Sequence, residues 1–270
     1  MPPRPKVLYV TDLAYPARGR RYCDEDIYLT SRLREHFDIA LCNPRDAAAL
    51  LGNGFDVTVV RNSGPVIDYP EAYREFRERA KDLNVYNPLT GKADMAGKQY
   101  LVDLTEQGSP VIPTVDRRED VAKLPAADLY VVKPKAGADS HGLEFVPREK
   151  ITDKNNTLIQ PKIDFEYEVS FYYVDDEFQY ALYAPETDRR WELRAYEATS
   201  ADLEFAEEFI RWNGLAHGIQ RVDACRTREG GLLLVELEDL NPYLSLDRTS
   251  EETRERFVRA MARSIKSSAG

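Results

Sequence analysis

The residues best suited to chemistry lie in the stretch GIQRVDACRTREGGLLLVELEDLNPYLSLD, residues 218–247. Arg221 and Asp223 stand two apart before Glu-Gly-Gly at 229–231. Glu236 and Glu238 stand two apart after the apolar run Leu232 to Val235. Alternate residues of a strand share a face, so each pair projects to one side. If the two strands pair across the 229–231 turn, three carboxylates and a guanidinium converge on one wall. Carboxylates crowded beside an apolar run repel one another and lose hydration unless a cation joins them. Hard oxygen ligands suit Mg2+, which keeps several waters and draws further ligands from substrate phosphates. A hairpin with a polar outer face would show the same alternation with no metal.

Further chemistry-bearing residues are spread along the chain. Asp128 to Pro134 reads as a buried strand that ends in Lys133, a lysine costly to desolvate unless an anion neutralises it. The small-residue stretch from Lys135 to Gly142 follows, and its backbone N–H groups could approach phosphates closely. It matches neither GxxxxGK[ST] nor GxGxxG, and a plain hairpin turn explains it equally. At Gln160-Pro161 a strand meets a proline, which leaves the backbone groups of Lys162 and Ile163 free for a ligand. Arg190 and Arg194 flank a polar loop and could clamp phosphate or carboxylate, or be ordinary surface charges. Lys98 lies inside a helical pattern, and periodicity alone assigns it no role.

The elements that must carry these groups alternate in type. Strands are expected at 6–11, 38–42 and 56–61, with helices at 24–37 (Ile27, Leu29, Leu33 and Phe37 inward) and 71–83. That order implies a parallel sheet whose strand ends, at Asp12, Arg61 and Asn62, tend to carry ligands. The turn-rich stretch 84–91 reads as a boundary. A helix over 93–107, stopped by Gly108, follows. Strands are expected at 128–134, 143–146 and 157–163, then a hairpin over 166–183 about Asp175-Asp176, a strand at 191–196, a helix over 201–213, and a final helix capped at Ser250.

With 43% hydrophobic and 31% charged residues, the composition is that of a globular chain. No apolar run approaches the ~20 residues of a membrane helix, and MPPRPK runs directly into the strand-like VLYV, so neither membrane nor signal peptide is expected. A net charge of −10 argues against a nucleic-acid partner. Three cysteines (Cys23, Cys42, Cys225) without metal spacing fit reduced thiols in the cytoplasm.

Together these landmarks resemble the ATP-grasp superfamily, in its RimK-like and glutathione-synthetase-like branch and most nearly the O-ureidoserine cyclo-ligase-like proteins. Lys98-Gln-Tyr-Leu with Gly108-Ser-Pro-Val-Ile-Pro-Thr114, Val131-Val-Lys-Pro134, Glu166-Tyr-Glu-Val-Ser-Phe171, Arg221-Val-Asp223 and Glu236-Leu-Glu238 with Asn241-Pro242 carry the likeness. Arg61-Asn62 with Asp68-Tyr69 is similar to a stretch of that family's N-terminal domain. Phe165 stands at a usual glycine, and Glu168 at a usual serine.

The resemblance implies an ATP-grasp fold of mixed α/β and α+β type. An α/β parallel-sheet domain at 1–92 would precede two α+β subdomains, 93–163 and 164–270, that grip ATP between them. It implies an ADP-forming ligase that activates a small amino-acid-like carboxylate as an acyl phosphate for attack by an amine. Alternatives are intramolecular cyclisation of one amino-acid derivative, modification of a peptide tail, or ATP binding without turnover. Mg2+ would be held by Asp223, Glu236, Glu238 and Asn241. ATP would meet Lys98, Lys133, Gly137, Ser140, Gly142, Gln160, Lys162 and Ile163, with Glu166 or Glu168 at the ribose. Arg221 would stabilise the oxyanion, with Arg190 and Arg194 as clamps. A homodimer would accord with relatives.

Overall fold

Valine-rich runs separated by helices build a parallel sheet at the N-terminal end of a computed structural model. The structure describes residues 3–14, 16–17, 20–61, 69–135, 142–152, 154–186, 188–240 and 242–269. Asn62, Asp68, Gly137, Ser140 and Asn241 lie outside them. Strand β1 (Lys6–Val10) leads to a small hairpin, β2 (Pro16–Ala17) and β3 (Arg20–Arg21). Then come α1 (Tyr22–Leu33), β4 (Asp38–Cys42), α2 (Ala47–Leu50), β5 (Val57–Val60), α3 (Pro70–Arg79) and β6 (Val85–Tyr86). The parallel sheet has the order β4-β1-β5-β6. β6 falls inside the stretch expected to be only a turn; two residues are too few to show a pattern. Both faces of the sheet are buried, as parallel sheets require. Leu8, Val10 and Val60 pack with Phe76 on one side, and Val7, Tyr9 and Val59 with Leu29, Leu33 and Phe37 on the other. Ile27, expected inward, is instead exposed.

The expected helix over 93–107 is broken. A 3-10 turn, Asp94–Ala96, ends at Gly97, and α4 (Tyr100–Glu106) begins anew. Gly97 has φ 90°, which a side-chain-bearing residue resists. The turn is held from outside, because the buried Asp239 carboxylate accepts from Ala93 N (3.1 Å) and Met95 N (2.7 Å).

A three-stranded antiparallel sheet, β8-β7-β9, comprises β7 (Tyr130–Pro134), β8 (Glu144–Val146) and β9 (Thr157–Pro161). A five-stranded antiparallel sheet, β12-β11-β10-β13-β14, comprises β10 (Phe165–Val174), β11 (Glu177–Ala184), β12 (Arg194–Tyr196), β13 (Ile219–Thr227) and β14 (Leu232–Glu238). The β10–β11 turn lies at Asp175-Asp176, as the sequence suggested. The large sheet buries one face under α5 (Ser200–Asn213), which opens with a Thr199/Asp202 capping box. Part of its other face packs against α6 (Glu251–Ser268) and the parallel sheet. The segment between α4 and β7 joins the two antiparallel sheets. Ile112 N donates to Leu234 O, and Val115 pairs with Ile159. Among the described residues, no helix is long and apolar enough to cross a membrane. The three cysteines are buried and outside any disulfide.

Gly91 lies where a Cβ would overlap the Asp239 carboxylate. Gly91→Ala must therefore displace that anchor. We expect a loss of about 1–3 kcal/mol, read as a thermal midpoint several degrees lower, whereas Gly231→Ala, where a Cβ meets nothing nearer than 3.7 Å, should cost less.

Candidate active site

Pairing of β13 with β14 sets Arg221 opposite Glu238 and Asp223 opposite Glu236. Between Asp223 and Ala224 the register slips, so that Ala224 faces Leu234 and Val235 is the extra residue of a bulge. The slip resolves a conflict in the sequence. Leu232, Leu234 and Leu237 all enter the core beneath α5, although 234 and 237 have opposite parity. Glu236 and Glu238 are released to the other face.

On that face the charges are closely matched. Arg221 donates through Nε to Asp223 Oδ1 (2.8 Å) and through Nη2 to Asp223 Oδ2 (2.8 Å) and Glu238 Oε1 (2.5 Å). Its Nη1 donates to Tyr243 O (2.7 Å). Ser170, opposite Asp223 on β10, donates to Asp223 Oδ1 at 2.6 Å. Glu236 is paired with Lys98, whose Nζ also lies 3.8 Å from Asp94. Lys98 N donates to Lys135 O (3.0 Å), which ties this lysine to the exit of β7.

One guanidinium thus faces two carboxyls, and one ammonium faces two more. Burial lifts the Glu238 carboxyl to about 8; Arg221 opposes the rise, while Asp223 and Glu236 add to it. Burial also raises Asp94 well above the usual carboxylate range, reinforced by Glu236. Glu236 goes the other way: burial opposes its ionisation, yet Lys98, Asp94 and Lys133 together hold it well below that range. Burial and mutual repulsion thus disfavour the charged forms of Glu238 and Asp94, while the neighbouring cations favour that of Glu236. As they stand, among the described residues no three acidic, cysteine or histidine side chains are grouped to hold a metal. The donors are nevertheless hard oxygens, which suit a divalent cation, and such a cation would favour their charged forms.

Strand parity on β7 puts Lys133, Val131, Gln160 and Phe145 on one face of the small sheet. Lys133 feels Glu236, Lys98 and Asp94, yet its ammonium has no ion pair or hydrogen bond among the described residues. Burial, resisted by Glu236 and aided by Lys98, lowers it to about 8. Such a group fits an anionic ligand. Gly142 has φ 74° and a Cβ there would lie 3.0 Å from Pro134, so the chain turns where only glycine is at ease.

Other expected residues fall differently. The Gln160 side chain donates to Thr114 (2.8 Å) and so braces the joining segment. Lys162 N, expected to be free, donates to Leu129 O at 2.9 Å, because the ladder runs one residue beyond the proline. Its ammonium lies 5.9 Å from the Phe145 ring centroid. Ile163 follows directly, half-buried. Glu166 is the extra residue of a bulge, since Phe165 faces Thr227 and Tyr167 faces Arg226, and it is exposed. Glu168 is on the face of Ser170 and accepts from Arg190 Nε at 2.6 Å. Arg194 is not brought to the site. It pairs with Tyr183, which pairs with Val169, and this row lies on the α5 side of the sheet. Among the strand-end residues, Arg61 is buried in internal contacts, and Asp12 accepts from Tyr69 (2.5 Å) and Ala14 N (2.8 Å). Asp94 and Asp239 were not singled out in the sequence. They lack the two-residue spacing that marked their partners, and Asp239 could only have been suspected as a polar residue next to Glu238.

The chain thus has a parallel sheet and two antiparallel sheets, and Lys133 of the smaller antiparallel sheet feels Glu236 of the larger; the solved structures it is similar to have the ATP-grasp fold. No family model and no curated protein matches the sequence. The structure is similar to that of the D-cycloserine synthetase DcsG, with 22% identity and a TM-score of 0.73 over 95% of this chain and 98% of that one. It is also similar to D-alanine–D-alanine ligase from Bacillus anthracis complexed with ATP (12%, 0.67, 97% of both chains). A third similar structure is the ATP-grasp ligase PsnB with precursor peptide PsnA2 and AMPPNP (14%, 0.65, 97% and 98%). At these identities the likeness establishes the fold.

Lys133 supplies a pH test. The unfolded lysine stays protonated to about 10.5 and the folded one only to about 8. Between these values the unfolded chain binds more protons, so stability rises with pH, while below 8 the cost is complete. Lys133→Met should therefore stabilise the ligand-free protein at pH 7, by up to about 3 kcal/mol. Its stability should also lack the rise between pH 8 and 10.5 that denaturant titrations of the parent will show.

Proposed function

We propose that the chain is an ATP-dependent, ADP-forming carboxylate–amine ligase acting on small amino-acid-like substrates. The observation that carries this reading is the meeting of two lysines, Lys98 and Lys133, with Glu236 on the hairpin face that also carries Arg221, Asp223 and Glu238. The ATP-grasp fold supports it. Lys98 and Lys133 would neutralise the nucleotide phosphates. Asp223, Glu236 and Glu238, with Asn241, would hold Mg2+, which lowers the repulsion met by a carboxylate approaching the phosphates. Glu168, on the site face, is the better candidate than Glu166 for the ribose. The Lys162 carbonyl and Ile163 N–H would offer the hinge to the base, and the small-residue stretch with Gly137, Ser140 and Gly142 would cover the phosphates. The units 1–92, 93–163 and 164–270 remain our division of the chain, and a reducing, cytoplasmic setting fits its buried thiols.

The substrate carboxylate oxygen attacks the γ-phosphorus, and ADP leaves. An amine then attacks the acyl carbon, the bond to phosphate breaks and inorganic phosphate leaves, and the amine's proton passes to solvent or base as the amide forms. Positioning and charge stabilisation dominate both steps. Arg221, steadied on both sides by carboxyls, would meet the negative charge at the acyl carbon, and Arg190 would add charge near Glu168. The similarity to a D-cycloserine synthetase favours a second form of the same chemistry, in which amine and carboxylate belong to one molecule.

Release of ADP from ATP and Mg2+, measured against amino acids singly and in pairs, tests the reading. Release requiring two compounds, with a new amide mass, establishes intermolecular ligation. Release with one compound and loss of one water from its mass establishes cyclisation. Absence of nucleotide binding overturns both. Where turnover is found, Arg221→Ala should lower it by about 10²–10³, the effect of losing one oxyanion donor. Chelation of Mg2+ should abolish turnover and leave the fold intact by circular dichroism.

A further inference from the structure

The turn after β14 is held by side chains drawn from distant parts of the chain. Pro242 O accepts from Arg61 Nη1 (2.8 Å), and Tyr243 O accepts from Arg221 (2.7 Å). Leu244 N donates to Glu25 Oε1 (3.0 Å), and Leu244 O accepts from the Tyr180 hydroxyl (2.7 Å). Arg61 and Glu25 are themselves paired at 2.8 Å, and both are buried. Arg61 Nε lies 3.5 Å from Asp26. Asp26 accepts from Tyr9 (2.9 Å) and Thr11 (2.6 Å), so the pair is anchored in β1. The next residue, Ser245, has φ 51°, a conformation that non-glycine residues keep only when their surroundings impose it.

This geometry has a directional sense. Arg61 and Glu25 come from the parallel sheet and α1, and Tyr180 from β11. None of them hydrogen-bonds Arg221, although Tyr180 feels its charge and stacks on Tyr172 beside it. Arg61 fixes the peptide group before the Tyr243 carbonyl, Glu25 the N–H of the carbonyl's own peptide group, and Tyr180 the group after it. The carbonyl itself accepts from Nη1, the one Arg221 nitrogen not spent on carboxyls. A guanidinium has a planar fork, so a shifted acceptor at Nη1 rotates the plane and misaligns its other donors.

We propose that Arg61, Glu25 and Tyr180 are positioning residues for Arg221, acting through the Tyr243 carbonyl, so that the N-terminal sheet sets the aim of the guanidinium at the site. The proposal rests on the ligase reading for its kinetic consequence, though not for its structural one. Loosening the turn misaims Arg221, which lowers turnover and leaves the lysines that bind nucleotide undisturbed.

Two variants test it. Tyr180→Phe removes one hydroxyl from the clamp, and Glu25→Gln keeps shape and an acceptor while removing the charge facing Arg61. The first readout needs no activity: the Nε–Hε signal of Arg221 in 15N spectra, assigned by its loss in Arg221→Lys. We expect that signal to shift and exchange faster with water in both variants. The second is kinetic: about a tenfold loss of kcat, less than twofold change in KM for ATP, and no further loss when Tyr180→Phe is added to Arg221→Ala. An unchanged Arg221 signal in folded Tyr180→Phe and Glu25→Gln overturns the proposal. So does a kcat loss of the same size with and without Arg221. Should Glu25→Gln fail to fold, Tyr180→Phe decides alone. If the parent protein binds no nucleotide, the ligase reading falls, and the Arg221 signal still decides the clamp.

Discussion

One extra residue, Val235, governs what the large sheet can offer. A strand with a strict two-residue period would present Leu234, Glu236 and Glu238 to one side and would bury carboxylates among leucines or expose leucines among carboxylates. The bulge at Val235 changes phase once. It gives α5 its apolar floor and frees two carboxylates for the opposite face. Arg221 and Asp223 need no such device, because β13 keeps one phase from Ile219 to Asp223.

From that face outward, the architecture is a set of buried polar ties between the sheets. Asp239, one residue past β14, holds the 93–95 turn, and Asn87 donates to Asp239 O and Ile219 O, both at 2.6 Å. Arg61 and Glu25 hold the next turn. Burying such groups is costly unless each is satisfied, and half-satisfied networks are worse than apolar packing. The ties therefore specify position more than they add stability.

The sequence made the regular part of this arrangement legible. Period-two spacing disclosed Arg221, Asp223, Glu236 and Glu238, and alternating apolar runs disclosed the parallel sheet and the β10–β11 hairpin. What stayed hidden depends on phase or tertiary contact. The bulges at Glu166, Gln179 and Val235 leave no mark in composition. Gly97 interrupts a helical pattern that apolar spacing carries through. Arg194 sits on the wrong face because the register of β12 on β11 is set by pairing. Arg61 looked like a strand-end ligand residue, yet with 4% of its surface exposed it serves the interior. Asp94 and Asp239 gain their importance only when the chain from 87 to 98 is laid against β14.

The bond from Lys98 N to Lys135 O has a mechanical meaning. It couples the backbone of one lysine to the strand that carries the other, so a tilt of the small sheet carries Lys133 and tugs Lys98 in the same stroke. Glu236, on the large sheet, pulls Lys98 back through its side chain. Lys98 is thus a linkage between the two antiparallel sheets, tethered by its backbone to one and by its charge to the other. Any anion that claims its ammonium releases the sheets from each other at that point and engages them again through itself.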